Sequence, residues 1–188
     1  LSLHYALPIF CILLFAFGLV KSIAQVHSVR AFITEDPSTS MHFCWNQSNE
    51  IQANLYFSLQ DHGSNIEKYN HSQIASKDSI NTFYLGNCKV TGLLPNTYYY
   101  FVIEHNGVVS PVYKFKTLSV SPDDPIKFII GSNSEIAGNK RLEANKSAFS
   151  MDPDFVFFAG NFTADNSIES WNLWFKEWSD SYQNNVLV

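Results

Sequence analysis

The sequence has 188 residues, of which 46% are hydrophobic and 15% are charged. This is the composition of an ordinary globular protein with about one or two domains, and it excludes a mainly disordered chain. The formal charge is −5 and no run of lysine or arginine occurs, so nucleic acid is excluded as a main partner.

The first segment resembles a secretory leader. An apolar run over residues 5–20 is followed by Lys21 and by a Ser-Ile-Ala segment that ends at Ala24. Small residues at this spacing are typical of a signal peptidase site, so we predict a signal peptide over residues 1–24. The alternative is a membrane anchor, because about 18 apolar residues can nearly span a bilayer. Cleavage after Ala24 would leave no stable membrane span in the mature chain.

Sequons and cysteines agree with a secreted protein, located outside the cell or in the lumen of the secretory pathway. Two cysteines, Cys44 and Cys88, follow the leader, and an oxidising compartment permits a disulfide between them. Strand alternation leaves open whether their Cβ atoms approach each other. Four Asn-x-Ser/Thr sequons are candidate glycosylation sites on exposed backbone: Asn46, Asn70, Asn145 and Asn161.

Short apolar or aromatic runs, separated by turn residues, predict an all-β domain over residues 25–119. In the strand around residue 43, Met41, Phe43 and Trp45 alternate with polar residues, which predicts one shared buried face. The five histidines of this segment lack the spacing of a metal site and are expected at surface or edge positions: His27, His42, His62, His71 and His105.

A second pair of strands surrounds a Pro-Asn turn at Pro95. In the strand that follows this turn, Tyr98, Tyr100 and Val102 share a face. We interpret the polar segment over residues 120–125, which contains two prolines, as a linker.

The pattern then changes to alternating strands and helices. Apolar runs at residues 126–131 and 153–160 predict buried strands, and residues 139–150 between them fit a helix. This order predicts a parallel βαβ unit in a domain over residues 126–188. A second helix over residues 168–178 carries an aromatic stripe that we interpret as core packing: Trp171, Trp174, Phe175 and Trp178.

Two groups of motifs resemble one protein family. The Met-x-Phe-x-Trp strand and the segment Gly92-Leu93-x-Pro95-x-Thr97 before the tyrosines resemble the fibronectin-III-like domain that precedes the catalytic domain of purple acid phosphatases. The ends of the two later strands resemble the first two metal motifs of calcineurin-like phosphoesterases. The expected fold is therefore an all-β sandwich followed by the first βαβ portion of an α/β metallophosphoesterase domain.

The resemblance implies an activity and a cofactor. Purple acid phosphatases hydrolyse phosphate monoesters at acid pH with a binuclear centre of iron and zinc, manganese or a second iron. A phosphate ester would be the substrate. We expect the chain to be a fragment, because it begins with Leu1 and ends in the apolar Val-Leu-Val. Residues 121–188 contain no histidine, so any imidazole ligands would lie beyond Val188.

The visible ligand positions depart from the family pattern. The first aspartate of the family falls on Asn133, or on Ser132, and the aspartate that bridges both metals falls on Asn161. The tyrosine that ligates ferric iron falls on Ala164. Two cations a few ångströms apart repel each other, and a neutral amide supplies none of the negative charge that a bridging carboxylate brings. We therefore predict that the binuclear site is lost.

The residues near these strand ends allow other interpretations. Glu135 and Asp165 are local carboxylates that can stand in as ligands, although we interpret them as loop charges. Asn161 begins a sequon, so the former bridging position is also a candidate glycan site. The protein as a whole is then an inactive phosphatase relative, a phosphatase that uses a single or different metal, or a fibronectin-type adhesion module without enzymatic activity.

Overall fold

The computed structural model describes residues 26–80, 83–135 and 138–182. The predicted signal peptide, residues 1–24, lies outside the described residues. Within the described ranges, no helix has the length and apolar character needed to cross a membrane.

Two antiparallel sheets form the first part of the chain. The first sheet has the order β1-β2-β6-β5, with β1 at Val26–Phe32, β2 at Ser40–Gln47, β6 at Phe83–Thr91 and β5 at Ser76–Ile80. The second has the order β4-β3-β7-β8, with β9 also paired to β7. Its strands are β4 at His71–Ile74, β3 at Ala53–Ser58, β7 at Tyr98–His105, β8 at Val108–Val109 and β9 at Tyr113–Lys116. A short 3₁₀ helix, Ile66–Lys68, precedes β4.

The core of this sandwich lies between the two sheets. Met41, Phe43 and Trp45 of β2 are at most 2% exposed, which confirms the predicted buried face. From the opposite sheet, Phe101 of β7 packs against Phe43 with ring centroids 4.8 Å apart. Each such side chain contributes about 1.5–3 kcal/mol when fully buried, so the alternating pattern of β2 stabilises the sandwich.

Strand β7 turns Tyr99 and Phe101 towards the core of the sandwich. Tyr98 is 47% exposed, whereas Tyr99 and Phe101 are buried. The Tyr99 hydroxyl accepts a hydrogen bond from the backbone N–H of Leu94 at 2.9 Å, which is the tyrosine corner of such sandwiches. His105 lies on this same face and is fully buried. The prediction of a surface or edge position is therefore wrong for His105, because strand alternation places it with the core.

The second part of the chain is a parallel βαβ unit followed by a helix. Its elements are β10 at Phe128–Gly131, α1 at Asn139–Ser150, β11 at Phe155–Phe158 and α2 at Ile168–Tyr182. Strands β10 and β11 pair in parallel, with Phe128 opposite Phe155. The predicted order and strand direction are confirmed, although both strands are shorter than predicted and α2 continues past residue 178.

The aromatic stripe of α2 packs against the sheet. Trp174 is 7% exposed, and its ring meets Phe158 of β11 edge-on with centroids 5.8 Å apart. Trp174 also stacks on Trp178 at 5.1 Å. The interpretation of the stripe as core packing is confirmed. On the two strands, Ile130 and Phe157 stay 66% and 60% exposed.

Candidate functional site

The carboxyl ends of β10 and β11 lie at one edge of the sheet because the strands are parallel, and α/β proteins assemble sites at such edges. Asn133 follows β10 and Asn161 follows β11. The backbone N–H of Asn133 donates to the Gly160 carbonyl at 3.3 Å, and the N–H of Ser134 donates to the Asn161 carbonyl at 2.9 Å. These bonds fix the two loops side by side.

The two asparagine side chains meet at this edge. The Asn161 Nδ2 donates a hydrogen bond to the Asn133 Oδ1 at 2.6 Å. Both residues have a φ of 54°, in the left-handed region that asparagine tolerates better than most residues. Of the two alternatives for the first ligand position, Asn133 is the residue that contacts Asn161, whereas the Ser132 hydroxyl donates to the Gly160 carbonyl.

This amide pair does not fit the binuclear centre that the resemblance implies. The Asn133 Oδ1 already accepts the Asn161 amide, and neither side chain carries a negative charge to offset two adjacent cations. Across the described ranges, no group of three or more histidine, cysteine, aspartate and glutamate side chains is placed to hold a metal ion. The amide pair at this edge offers neutral groups that hydrogen-bond to each other.

The remaining predicted positions lie apart from the amide pair. Ala164 is exposed and has no ligand atom in its side chain. Asp165 accepts the backbone N–H of Ser167 at 2.9 Å, just before α2 begins, and hydrogen bonds from Ser167 hold the pKa of Asp165 below its ordinary value. Glu135 is half-buried. Within the described part of the chain, no hydrogen bond joins Glu135 or Asp165 to Asn133 or Asn161.

A buried ion pair supports the loop after β10. The Arg141 guanidinium of α1 pairs with Glu177 of α2 and also donates to the Ser134 carbonyl at 2.7 Å. The Ser134 hydroxyl accepts the indole N–H of Trp174 at 2.8 Å. Both helices therefore hold the residue next to Asn133, which gives this edge of the sheet a fixed geometry.

The four sequons differ in exposure. Asn46 is only 3% exposed, and its Oδ1 accepts the Arg30 guanidinium at 3.0 Å. The expectation of exposed backbone is therefore wrong for Asn46, because β2 is an interior strand of its sheet. Asn70 and Asn161 are exposed and Asn145 is partly exposed, so these three stay candidates for glycosylation.

The two cysteines are free thiols. In the register of β2 and β6, Phe43 lies opposite Cys88 and Cys44 lies opposite Asn87. Neighbouring positions along a strand point to opposite faces, so Cys88 is buried in the core while the Cys44 Sγ accepts the Arg30 guanidinium at 3.2 Å. The disulfide that the sequence left open is therefore not formed.

The family model described as "Purple acid Phosphatase, N-terminal domain" matches residues 26–117. Residues 26–117 are therefore similar to the N-terminal domain of purple acid phosphatases. This range coincides with the two antiparallel sheets and ends just after β9.

Solved structures resemble the β-sandwich and the residues after it. "Structure of PhoD" matches with a TM-score of 0.59 and 14% identity, over 88% of this chain and 38% of that chain. At this identity the likeness concerns the fold alone. The chain spans little more than a third of the PhoD chain.

Two further structures match with lower TM-scores. The sensor domain of the anti-sigma factor RsgI4 from Pseudobacteroides cellulosolvens has a TM-score of 0.36 at 19% identity, over 53% of this chain and 100% of that chain. The third fibronectin III domain of human KIAA0343 has a TM-score of 0.30 at 16% identity, over 58% and 98%. A search of curated proteins found no match.

One arginine joins the β-sandwich to α2. The Arg30 guanidinium of β1 lies over the Phe175 ring, 4.4 Å from its centroid. Sequence reasoning missed both this contact and the Arg141–Glu177 pair. No signal in the sequence points to either, because the partners are far apart along the chain and share no motif.

Proposed function

We propose that the chain is the N-terminal part of a secreted purple acid phosphatase-like protein that has lost two-metal hydrolysis of phosphate esters. The family match over residues 26–117 supports the relationship. The hydrogen bond between Asn161 and Asn133 carries the proposal of lost activity, since it lies where the two strand ends would supply carboxylates.

The physical reason is the charge of the metals. A binuclear centre activates water and stabilises the charge on the transferred phosphoryl group, and it needs anionic ligands to hold both cations close together. An amide offers one weakly binding carbonyl oxygen. In this pair the Asn133 oxygen is already engaged by Asn161, so the pair crosslinks the two loops without a metal.

Two measurements on the full-length secreted protein test this proposal together. The first is hydrolysis of p-nitrophenyl phosphate from acid to neutral pH with added iron, zinc or manganese, and the second is metal content by plasma mass spectrometry. We expect no turnover above the blank and less than one equivalent of metal. Brisk, metal-dependent hydrolysis would overturn the proposal.

The converse test introduces acids at the two strand ends and measures whether the protein then binds metal more tightly. Asn133→Asp with Asn161→Asp restores both acids, and we expect this double variant to bind a divalent cation about tenfold more tightly than the parent, a difference of about 1.4 kcal/mol. Asn70→Asp with Asn145→Asp is the matched control, because it adds the same charge at positions away from the strand ends. Equal metal binding by both double variants would show that the strand ends are not the relevant positions.

Secretion is a separate part of the proposal, and it depends on the leader-like segment over residues 1–24. N-terminal sequencing of protein collected from the medium of expressing cells should begin at Gln25. Retention in membranes with the segment attached would favour the anchor instead.

A further inference from the structure

The hairpin between β7 and β8 turns on an Asn-Gly pair, which is the only such pair in the 188-residue sequence. His105 lies opposite Val108, so Asn106 and Gly107 form a two-residue loop. Their φ angles are 51° and 76°, and positive values at both central residues are what a type I′ turn requires. Both residues are exposed. Water therefore reaches the side chain and the backbone of this turn.

An Asn-Gly pair can lose its amide without an enzyme. The backbone nitrogen of Gly107 attacks the Asn106 Cγ, a new C–N bond closes a succinimide ring, and the bond from Cγ to Nδ2 breaks. Nδ2 takes up the Gly107 amide proton and leaves as ammonia. Water then adds to one of the two ring carbonyls, which opens the ring to aspartate or isoaspartate at position 106. Glycine hinders ring closure least because it has no Cβ.

The side chain of Asn106 is free to reach the geometry of attack. Two other described asparagines precede a small residue, serine, but their side chains are engaged. The Asn133 Oδ1 accepts the Asn161 amide, and the Asn166 Oδ1 accepts the Trp171 indole N–H at 2.9 Å. Among the residues that the structure describes, none forms a hydrogen bond with the Asn106 side chain. Asn106 therefore combines an unengaged amide with the least hindered neighbour.

Glu104 restrains the nitrogen that would attack. Its Oε1 accepts the Gly107 N–H at 2.7 Å, and its Oε2 accepts the side-chain amide of Asn54 at 3.2 Å. Asn54 lies opposite Glu104 in the register of β3 and β7, so the carboxylate is held in place from the neighbouring strand. Ring closure requires the Gly107 nitrogen to give up its proton, and an adjacent carboxylate disfavours the negative charge that results.

We propose that Asn106 is a site of spontaneous deamidation and that Glu104 sets its rate in the folded protein. Deamidation places a second acid beside Glu104. The isoaspartate product also adds an atom to the main chain of the turn, and turn geometry fixes the register of a hairpin, so the pairing of β8 with β7 is weakened. The site does not depend on whether the protein hydrolyses phosphate esters.

Peptide mass spectrometry of the full-length protein, sampled during incubation at mildly alkaline pH, tests the proposal. Asn106 should show the mass change from amide to acid sooner than Asn133 and Asn166. Protein-isoaspartate methyltransferase with labelled S-adenosylmethionine measures the isoaspartate product separately. The methyl label should appear in the peptide that contains position 106.

Variants of Glu104 test its role. Glu104→Ala removes both the acceptor and the charge beside the Gly107 nitrogen, and we expect deamidation at position 106 to be up to about tenfold faster. Glu104→Gln keeps an oxygen acceptor without the charge, so its rate should lie between those of the parent and Glu104→Ala. Glu67→Ala is the matched control, because it makes the same substitution at an exposed position of the 3₁₀ helix, and it should leave the rate unchanged.

Unfolding separates the contact from the local sequence. In urea, the parent and Glu104→Ala should deamidate at similar rates, because the hydrogen bond to Gly107 exists only in the folded hairpin. Four results would each overturn the proposal. They are deamidation at Asn106 no faster than at Asn133 and Asn166, an unchanged rate in folded Glu104→Ala, an equal acceleration in Glu67→Ala, and an effect of Glu104→Ala that persists in urea. If Glu104→Ala does not fold, Glu104→Gln decides, and a rate equal to that of the parent then overturns the proposal.

Discussion

Cys44 and Cys88 lie on neighbouring strands and on opposite faces of one sheet. Burial raises the pKa of the Cys88 thiol to about 12, so almost no thiolate forms there near neutral pH, whereas Cys44 is half-buried beside Arg30. We expect iodoacetamide to alkylate Cys44 in the native protein and to leave Cys88 unmodified, because the thiolate is the reactive species. Peptide mass spectrometry after timed alkylation measures both sites. Alkylation of Cys88 at the rate of Cys44 in folded protein would contradict this.

Asp165 makes stability depend on pH at the start of α2. Hydrogen bonds from Ser167 lower its pKa below the ordinary 3.8, so the folded state favours the ionised form. The stabilisation is therefore fully present above the pKa of the unfolded chain and is lost as pH falls through the lower folded pKa. Urea unfolding of the parent and of Asp165→Asn should show a difference that shrinks as pH falls below about 3.8. A difference that stays constant with pH would exclude this role.

The tyrosine corner joins β7 to the turn before it. Tyr99→Phe removes the hydroxyl that accepts the Leu94 N–H but keeps the ring, which stacks on Phe115 at 5.5 Å. We expect a loss of about 1–2 kcal/mol in the free energy of unfolding. Tyr98→Phe is the control, because its side chain is half exposed, and it should change stability by less than about 0.5 kcal/mol. Denaturant unfolding of both variants checks this, and equal losses would show that the corner bond contributes nothing.

The strands and helices themselves could be predicted, because the spacing of apolar residues within each of them is visible in a short stretch of sequence. The alternation of Met41, Phe43 and Trp45 fixed both the strand and its buried face, and the order of apolar runs after residue 125 indicated the parallel βαβ unit. The side of β7 that faces the core could not be predicted, because aromatic and apolar residues occupy both of its faces. The predictions of exposure for Asn46 and His105 were wrong for a similar reason. The burial of these two residues depends on the neighbouring strands rather than on their own sequence context.

The candidate site was predictable only in part. The motif spacing indicated that Asn133 and Asn161 lie near each other, since both follow strands that end at one edge. Their direct hydrogen bond depends on loop conformations that no local pattern encodes. Contacts such as Arg30 on Phe175 arise only when two domains pack, and residue type alone does not reveal them.

Arg30 connects the two parts of the molecule, because it lies on β1 and contacts Phe175 of α2. Arg30→Ala removes the cation over Phe175, a contact of about 1–2 kcal/mol when it is shielded from water. We expect faster amide hydrogen exchange in α2, up to about tenfold, and unchanged exchange in β3 and β7. Lys77→Ala, on an exposed position of β5, is the matched control. Unaltered exchange in α2 of the Arg30 variant, measured by mass spectrometry, would show that other contacts hold the helix.

The left-handed backbone at Asn133 and Asn161 has a genetic consequence. Aspartate tolerates this conformation nearly as well as asparagine does, and the codons of the two amino acids differ only in their first base. A single-base change can therefore place an acid in either loop without rebuilding the main chain. The main chain at this edge of the sheet already has a conformation that such an acid accepts.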